Sequence, residues 1–256
     1  MDSITAFRAL HIPGNPLVLF NIWDAGSARA VAGAGAKAIA TGSYGVAEAQ
    51  GMKDGESFPL AAALLNLERV LSVTDLPVTI DMESGYGENP AQVGASVAAA
   101  RAAGAAGINI EDRMPGGAEL LPIAEQSARI AAAAASGLFV NARCDVFRGR
   151  TADEHGPALV AVALERAGAY ADAGASGLFV PFTTNRNCIA AICEGSPLPV
   201  NIIWTPASSG GFSGSEELAG LGVARNSHGH RPWAAAMDWL AGAAKSVFAG
   251  DPPPYD

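Results

Sequence analysis

The chain has 256 residues, half of them hydrophobic and 16% charged, with a net charge of −9. That supply of apolar surface excludes a disordered chain, and an acidic balance with no basic stretch excludes nucleic acid as a partner. It does not exclude an anionic substrate, because one arginine can dominate a small pocket.

Short apolar runs rich in β-formers predict strands at Leu17–Ile22, Ala38–Thr41, Val78–Ile80, Gly107–Ile110, Leu138–Asn141, Gly177–Val180, Val200–Trp204 and Gly222–Arg225. Alanine-rich helical patterns lie between them, at Ala91–Ala103, Ala124–Ala135 and Leu159–Ala173, and a last helix is expected over Pro232–Phe248. Three junctions repeat one signature, Ala34-Gly35-Ala36, Ala103-Gly104-Ala105 and Ala173-Gly174-Ala175, where glycine takes a left-handed C-cap and a strand follows at once. Eight strand–helix units in this length predict an α/β fold of the (β/α)8 TIM-barrel type, one domain over residues 1–256. A doubly wound open sheet competes, but no GxGxxG follows the first strand.

No alanine-rich run reaches the length of a membrane span before Gly, Arg, Glu or Asp interrupts it, so no membrane association is expected. The three cysteines, Cys144, Cys188 and Cys193, form no CxxC pair, and Met1–Pro13 lacks the layout of a signal peptide. Together these predict a soluble, cytoplasmic protein with reduced thiols.

In a barrel of this type the active site lies at the carboxyl ends of the strands. Those ends carry Asn21 and Asp24, Thr41 to Ser43, Asp81 and Glu83, Glu111 and Asp112, Asn141, Arg143 and Asp145, Thr183, Asn201, and Arg225, Asn226 and His228. Asp81 and Glu83, spaced i, i+2, are expected to project together from strand three, with Glu111 beside them on strand four. Like charges so placed need a cation or a shared proton, and hard divalent ions such as Mg2+ take oxygen ligands. Asp81, Glu83 and Glu111 are therefore the predicted metal-holding acids, the competing reading being that they cap helices or pair with Arg113 and Arg143; Asp112 reads as a cap or ion-pair partner. Arg143 lines the mouth, where a guanidinium can grip a carboxylate. Gly42-Ser43-Tyr44-Gly45 reads equally as an anion cradle or as a tight turn. Asn201, at the end of strand seven, is assigned with Gly42, Ser43, Tyr44 and Arg143 to substrate binding, and Tyr44 is a candidate proton relay.

Taken together, Asn21-Ile22-Trp23-Asp24, Ala40-Thr41-Gly42-Ser43, Asp54-Gly55-Glu56, Asp81-Met82-Glu83-Ser84-Gly85-Tyr86-Gly87, Ile108-Asn109-Ile110-Glu111-Asp112 and Asn141-Ala142-Arg143 resemble the isocitrate lyase / phosphoenolpyruvate mutase superfamily, in particular its small phosphoenolpyruvate-mutase-like members. The resemblance implies an α/β barrel, Mg2+ or Mn2+, and 2-oxo acid substrates cleaved at a C–C or P–C bond through an enolate. It implies that Asp81 ligates the metal, with Glu83 and Glu111 acting largely through water. It further implies that Asp54 works from a mobile loop, that the amides of Gly42 and Ser43 cradle the substrate carboxylate, and that Arg143 grips the substrate. A homotetramer, or a dimer, with the last helix swapped between subunits is implied as well. The chain carries neither the Lys-Cys-Gly-His type of segment nor a lysine between Arg113 and Pro122. The expected activity is thus a Mg2+-dependent lyase on an oxaloacetate-like acid, with decarboxylation or hydrolysis open. The alternative is a metal-dependent 2-oxo-acid binding protein with little turnover.

Overall fold

All three Ala-Gly-Ala junctions end helices as their spacing predicts. In the computed structural model, which describes residues 2–255, Gly35, Gly104 and Gly174 have φ of 96°, 100° and 93°. A Cβ-bearing residue is strained there, and glycine is not. The helices so ended are α2 (Ala25–Gly33), α5 (Pro90–Ala102) and α7 (Pro157–Asp172), preceded by α1 (Ser3–Ala9) and accompanied by α3 (Ser43–Glu48), α4 (Leu60–Leu71), α6 (Ile123–Ala134), α8 (Arg186–Gly195), α9 (Ser215–Gly220) and α10 (Arg231–Phe248).

Between them run β1 (Leu17–Leu19), β2 (Ile39–Ala40), β3 (Val78–Asp81), β4 (Gly107–Glu111), β5 (Phe139–Arg143), β6 (Gly177–Val180), β7 (Val200–Ile203) and β8 (Arg225–Ser227). The strands are parallel, in the order β1-β8-β7-β6-β5-β4-β3-β2. A bridge from Ile22 to Thr41 joins the two outer strands just past the end of β1. The result is the predicted (β/α)8 TIM-type barrel, nearly closed. Alanines on α5, α6 and α7 (Ala100, Ala133, Ala163 and Ala167) are wholly buried, so small side chains let the helices lie close on the sheet. The amino end of the barrel is plugged by Phe7 of α1, edge-on to Phe139 at 5.3 Å.

The eighth strand departs from expectation. Gly222-Val223-Ala224 is apolar, with Val223 and Ala224 buried, which reads as strand. Gly222 instead has φ of 85°, and the Val223 N–H donates to the Leu218 carbonyl to finish α9. Pairing of β8 with β1 therefore starts at Arg225. Arg225 then points into the barrel and is 1% exposed, rather than reaching the rim. It donates to Asn109 Oδ1 at 3.1 Å and pairs with no carboxylate among the described residues, so burial holds its pKa down at about 9.

No helix among the described residues is long and apolar enough to cross a membrane. One feature of the surface is apolar: α10 buries only Pro232, leaving Trp239, Leu240 and Phe248 at 58%, 53% and 88% exposure. A groove of about 570 Å³ runs along the outside of β1, where Val18 and Phe20 are uncovered.

Candidate active site

The strand carboxyl ends open into a cavity of about 820 Å³. Its edge is tied together by Asn21, which donates from Nδ2 to the Thr41 carbonyl and accepts at Oδ1 from the His228 and Gly229 N–H groups at 2.9 and 2.8 Å. One side chain thus joins the ends of β1, β2 and β8.

Asp81 is the last residue of β3 and lines this cavity. Its Oδ2 accepts from the Ser43 N–H at 3.4 Å, and its own N–H donates to Thr41 Oγ1 at 3.1 Å. Glu83 reaches the same place by another route than strand alternation. The strand stops at Asp81, the Gly85 N–H turns back to the Met82 carbonyl, and Glu83 takes φ of 49°. A turn, not an i, i+2 strand face, brings the two acids together.

Sequence reasoning did not single out Glu56, yet it fastens this turn. Its Oε1 accepts from the Ser84 N–H at 2.9 Å, the Ser84 hydroxyl at 2.5 Å and the Tyr86 N–H at 3.1 Å. In return the Glu56 N–H donates to Glu83 Oε2 at 2.6 Å. Glu56, Glu83 and Tyr86 are all left-handed non-glycine residues, at φ of 57°, 49° and 50°. Three such residues in one clasp are a concentration of backbone strain of the kind found at functional sites. The Asp54-Gly55-Glu56 loop is therefore locked onto the β3 turn, with Asp54 held at the cavity wall.

The acids press on one another. Glu83 is pushed up to about 8 by burial and by Asp81 and Asp54. Asp54 is raised by burial and by Asp81. Glu111 is pushed up to about 7, because burial and the charges of Asp145 and Asp81 outweigh the pull of Arg143. Asp81 is the neighbour common to all three, so the cluster is centred on it.

On the neighbouring strand β5, next to Glu111, Arg143 is fixed by two carboxylates. Its Nη1 meets Glu111 Oε2 at 2.7 Å, and Nε and Nη2 make a two-pronged bond to Asp145 at 2.6 and 2.9 Å. The rings of Phe179 and Phe182 lie 5.9 and 5.5 Å from its guanidinium carbon. Asp145 was legible as a strand-end acid, but its role as anchor of Arg143 was not; the i, i+2 spacing of Arg143 and Asp145 is the signal that could have found it.

The remaining assigned residues divide. Ser43 and Tyr44 line the cavity, Tyr44 edge-on to His230 and Trp233. Gly42 lines it too, but its N–H is committed to the Ile22 carbonyl, whereas the Ser43 amide makes only the longer 3.4 Å contact to Asp81. Asn201 departs from expectation: it is 1% exposed, accepts from the Ser227 hydroxyl at 3.1 Å, and lies among the inward side chains below the cavity rather than on its wall. Strand alternation gives which face a residue takes but not how deep it sits. Asp112 is a structural acid, wholly buried on Arg166 and Tyr170. Cys144 is buried as well.

Among the described residues no three carboxylate, imidazole or thiol groups converge on one point. The acids present are all hard oxygen donors, with proton affinities raised chiefly by burial and then by the neighbouring carboxylates. Mg2+ takes oxygen ligands, one or two of them direct carboxylates, and keeps several waters, so the chemistry of these donors suits the ion although they form no closed three-ligand site.

The profile of the phosphoenolpyruvate phosphomutase family matches residues 7–248. A solved structure of a candidate phosphonomutase from Burkholderia cenocepacia J2315 superposes with a TM-score of 0.91 and 47% identity, covering 96% of this chain and 98% of that one. An uncharacterised protein of Mycobacterium tuberculosis (strain H37Rv) is 36% identical over 254 residues, 96% of this chain and 90% of its own length. A 2-methylisocitrate lyase of Salmonella typhimurium is 31% identical over 208 residues, 76% of this chain and 68% of its own. The chain belongs to the phosphoenolpyruvate phosphomutase family, and is an enzyme of the isocitrate lyase/PEP mutase superfamily's lyase and mutase type.

Proposed function

We propose that the chain is a Mg2+-dependent lyase, with Mn2+ able to substitute, that cleaves a C–C or P–C bond in a small 2-oxo acid of the oxaloacetate type by way of an enolate. The observation that carries this is the group of acids, Asp54, Asp81, Glu83 and Glu111, lining one cavity together with the guanidinium of Arg143. Asp81 would hold the ion directly, with Glu83, Glu111 and Asp54 around it largely through water. When bound, the ion supplies electrophilic stabilisation of the negative charge that develops on the substrate's oxo oxygen.

The protein's own groups do the rest. The Ser43 N–H orients the substrate carboxylate. Arg143, held flat by its bonds to Glu111 and Asp145, presents a fixed positive charge to the substrate. Asp54, with its proton affinity raised, is suited to take or give a proton near the reacting carbon. Tyr44 lies along the same wall as a relay.

A panel of 2-oxo acids and substituted malates, assayed by product detection with and without Mg2+, tests this. Turnover of at least one, lost on chelation, is expected. If oxalate raises the melting temperature only with Mg2+ while no acid is consumed, the metal-dependent binding protein is the correct reading instead.

The same proposal includes a homo-oligomer, a tetramer or dimer, in which α10 packs on a neighbour. The uncovered Trp239, Leu240 and Phe248 and the uncovered groove outside β1 are complementary in kind. Light scattering should give a multiple of the 25.9 kDa chain, and Trp239→Glu with Leu240→Glu should yield a monomer with a lower melting temperature. A monomeric native protein at micromolar concentration defeats the assembly but leaves the chemistry standing. The proposed location is the cytoplasm.

A further inference from the structure

Arg129 is buried where a guanidinium is costly to keep. It lies on α6 at 0% exposure, it pairs with no carboxylate among the described residues, and its Nε and Nη1 have no hydrogen-bond partner. A methionine or leucine would fill the same space without that cost. What Arg129 does make is a pair of bonds from one nitrogen. Its Nη2 donates to the carbonyls of Ser84 at 2.8 Å and of Gly87 at 2.9 Å. Both carbonyls belong to the segment that directly follows Glu83.

Other groups hold the same segment. Glu56 Oε1 accepts from the N–H groups of Ser84 and Tyr86, and the Ser96 hydroxyl donates to the Tyr86 carbonyl at 2.8 Å. A Cβ on Gly87 would lie 2.7 Å from the Val93 nitrogen, so the segment is pressed against α5. Ser84 is the shared link, and it is wholly buried. Its N–H ends on the Glu56 carboxylate and its carbonyl on the Arg129 guanidinium. An anion on the donor side and a cation on the acceptor side polarise the link in one sense, so the bonds strengthen one another. Glu56 then returns its own N–H to Glu83 Oε2. A continuous chain runs from Arg129 through Ser84 and Glu56 to Glu83.

We infer that Arg129 and Glu56 are a pair of positioning residues, joined through Ser84, that set Glu83 and the Asp54 loop in place for the metal together. The inference rests on the functional reading above. Neither residue lines the cavity, so both act through others. Arg129 fixes the turn from α6, Glu56 fixes the loop on the turn, and Glu83 receives the last bond. Loosening the chain at Arg129 should therefore free the Asp54 loop, to which Arg129 makes no hydrogen bond.

Two measurements on the full chain test this: calorimetric titration with Mg2+ in the presence of oxalate, and amide hydrogen exchange of the metal-free protein over residues 54–57. Arg129→Met should weaken Mg2+ about tenfold or more and speed exchange of the Glu56 amide about tenfold. Arg129→Lys, which can still donate to both carbonyls, should recover part of each. Glu56→Ala should weaken Mg2+ by a similar factor, and Glu56→Gln, which keeps the accepting oxygen, should recover part. Because both residues serve one chain, Arg129→Met with Glu56→Ala should bind hardly more weakly than Glu56→Ala alone. A merely structural arginine would lower the melting temperature, leave metal affinity and the Glu56 amide unchanged, and give losses that multiply in the double variant. If native protein binds Mg2+ and Arg129→Met binds it within about twofold, the inference fails by itself. Should Arg129→Met not fold, Arg129→Lys with Glu56→Ala takes its place, and losses that multiply overturn the inference. If native protein binds no Mg2+ with oxalate, the functional reading fails and takes this with it.

Discussion

Replacing Asp81 with alanine abolishes metal-dependent binding and turnover, and it makes the metal-free protein more stable. The functional loss should be at least about a thousandfold in kcat/KM, the scale of removing the group that holds the charge-stabilising ion. The stability gain follows from the same geometry. Asp81 raises the proton affinities of Glu83, Asp54 and Glu111 together, so its removal relieves three repulsions. Its own hydrogen bonds are weak, since the N–H groups of Ser43 and Glu83 reach it at 3.4 and 3.3 Å. Asp81→Asn, which keeps the shape and removes the charge, should behave in the same way.

A pH scan adds a second readout. Glu83 is pushed to about 8 and Glu111 to about 7 in the folded state, above the ordinary carboxylate value, so the folded chain holds more protons than the unfolded one in that window. The stability these groups contribute is full below about pH 4.5 and is lost as pH rises through their folded values. The metal-free native protein should therefore lose melting temperature between about pH 5 and 8, Mg2+ should offset the loss, and Asp81→Ala should flatten it. An Asp81→Ala protein that binds oxalate with Mg2+ as well as the native one does would remove the central assignment.

How much of this was legible in the sequence depended on which physical rule placed each residue. The strands expected at Val78–Ile80, Gly107–Ile110 and Leu138–Asn141 are found at Val78–Asp81, Gly107–Glu111 and Phe139–Arg143, because buried parallel strands are apolar runs, and the polar residues that end them at the mouth extend each by one or two positions. The helix ends read correctly because glycine alone takes the left-handed cap without strain. What was illegible lay where the backbone breaks its usual preferences. Nothing in the letters Glu56, Glu83, Tyr86 or Phe182 announces a positive φ, since those residues rarely adopt one and do so only when surrounding contacts enforce it. Depth was also hidden: Asn201 and Arg225 alternate to the inner face as a strand pattern requires, but how far below the rim they sit is set by register with β1 and β7.

Asp112 governs the other large effect, one of stability. Its Oδ2 accepts from Arg166 Nη1 at 3.1 Å and the Tyr170 hydroxyl at 2.9 Å, and its Oδ1 accepts from the Asp145 N–H at 2.9 Å. Arg166 also donates to the Leu121 carbonyl at 2.9 Å, while the Leu121 N–H donates to the Asp112 carbonyl at 2.8 Å. One wholly buried carboxylate thus pins α7, the start of the β5 loop and the end of the segment from Arg113 to Leu121. Asp112→Ala leaves a buried guanidinium, a buried phenol and a buried amide without that acceptor, and should cost about 3–5 kcal/mol. For a chain of this size that is roughly 10 °C of melting temperature. Asp112→Leu combined with Arg166→Met removes both charges together and should recover much of the loss, because an apolar pair of similar volume carries no desolvation cost. The functional consequence separates from the structural one through Asp145. Without Asp112 its N–H is unanchored, its fork on Arg143 loosens, and activity should stay low even at temperatures where the variant is folded. A loss below about 1 kcal/mol in Asp112→Ala would mean that water replaces the carboxylate and that this buried network is not what holds Arg143 in place.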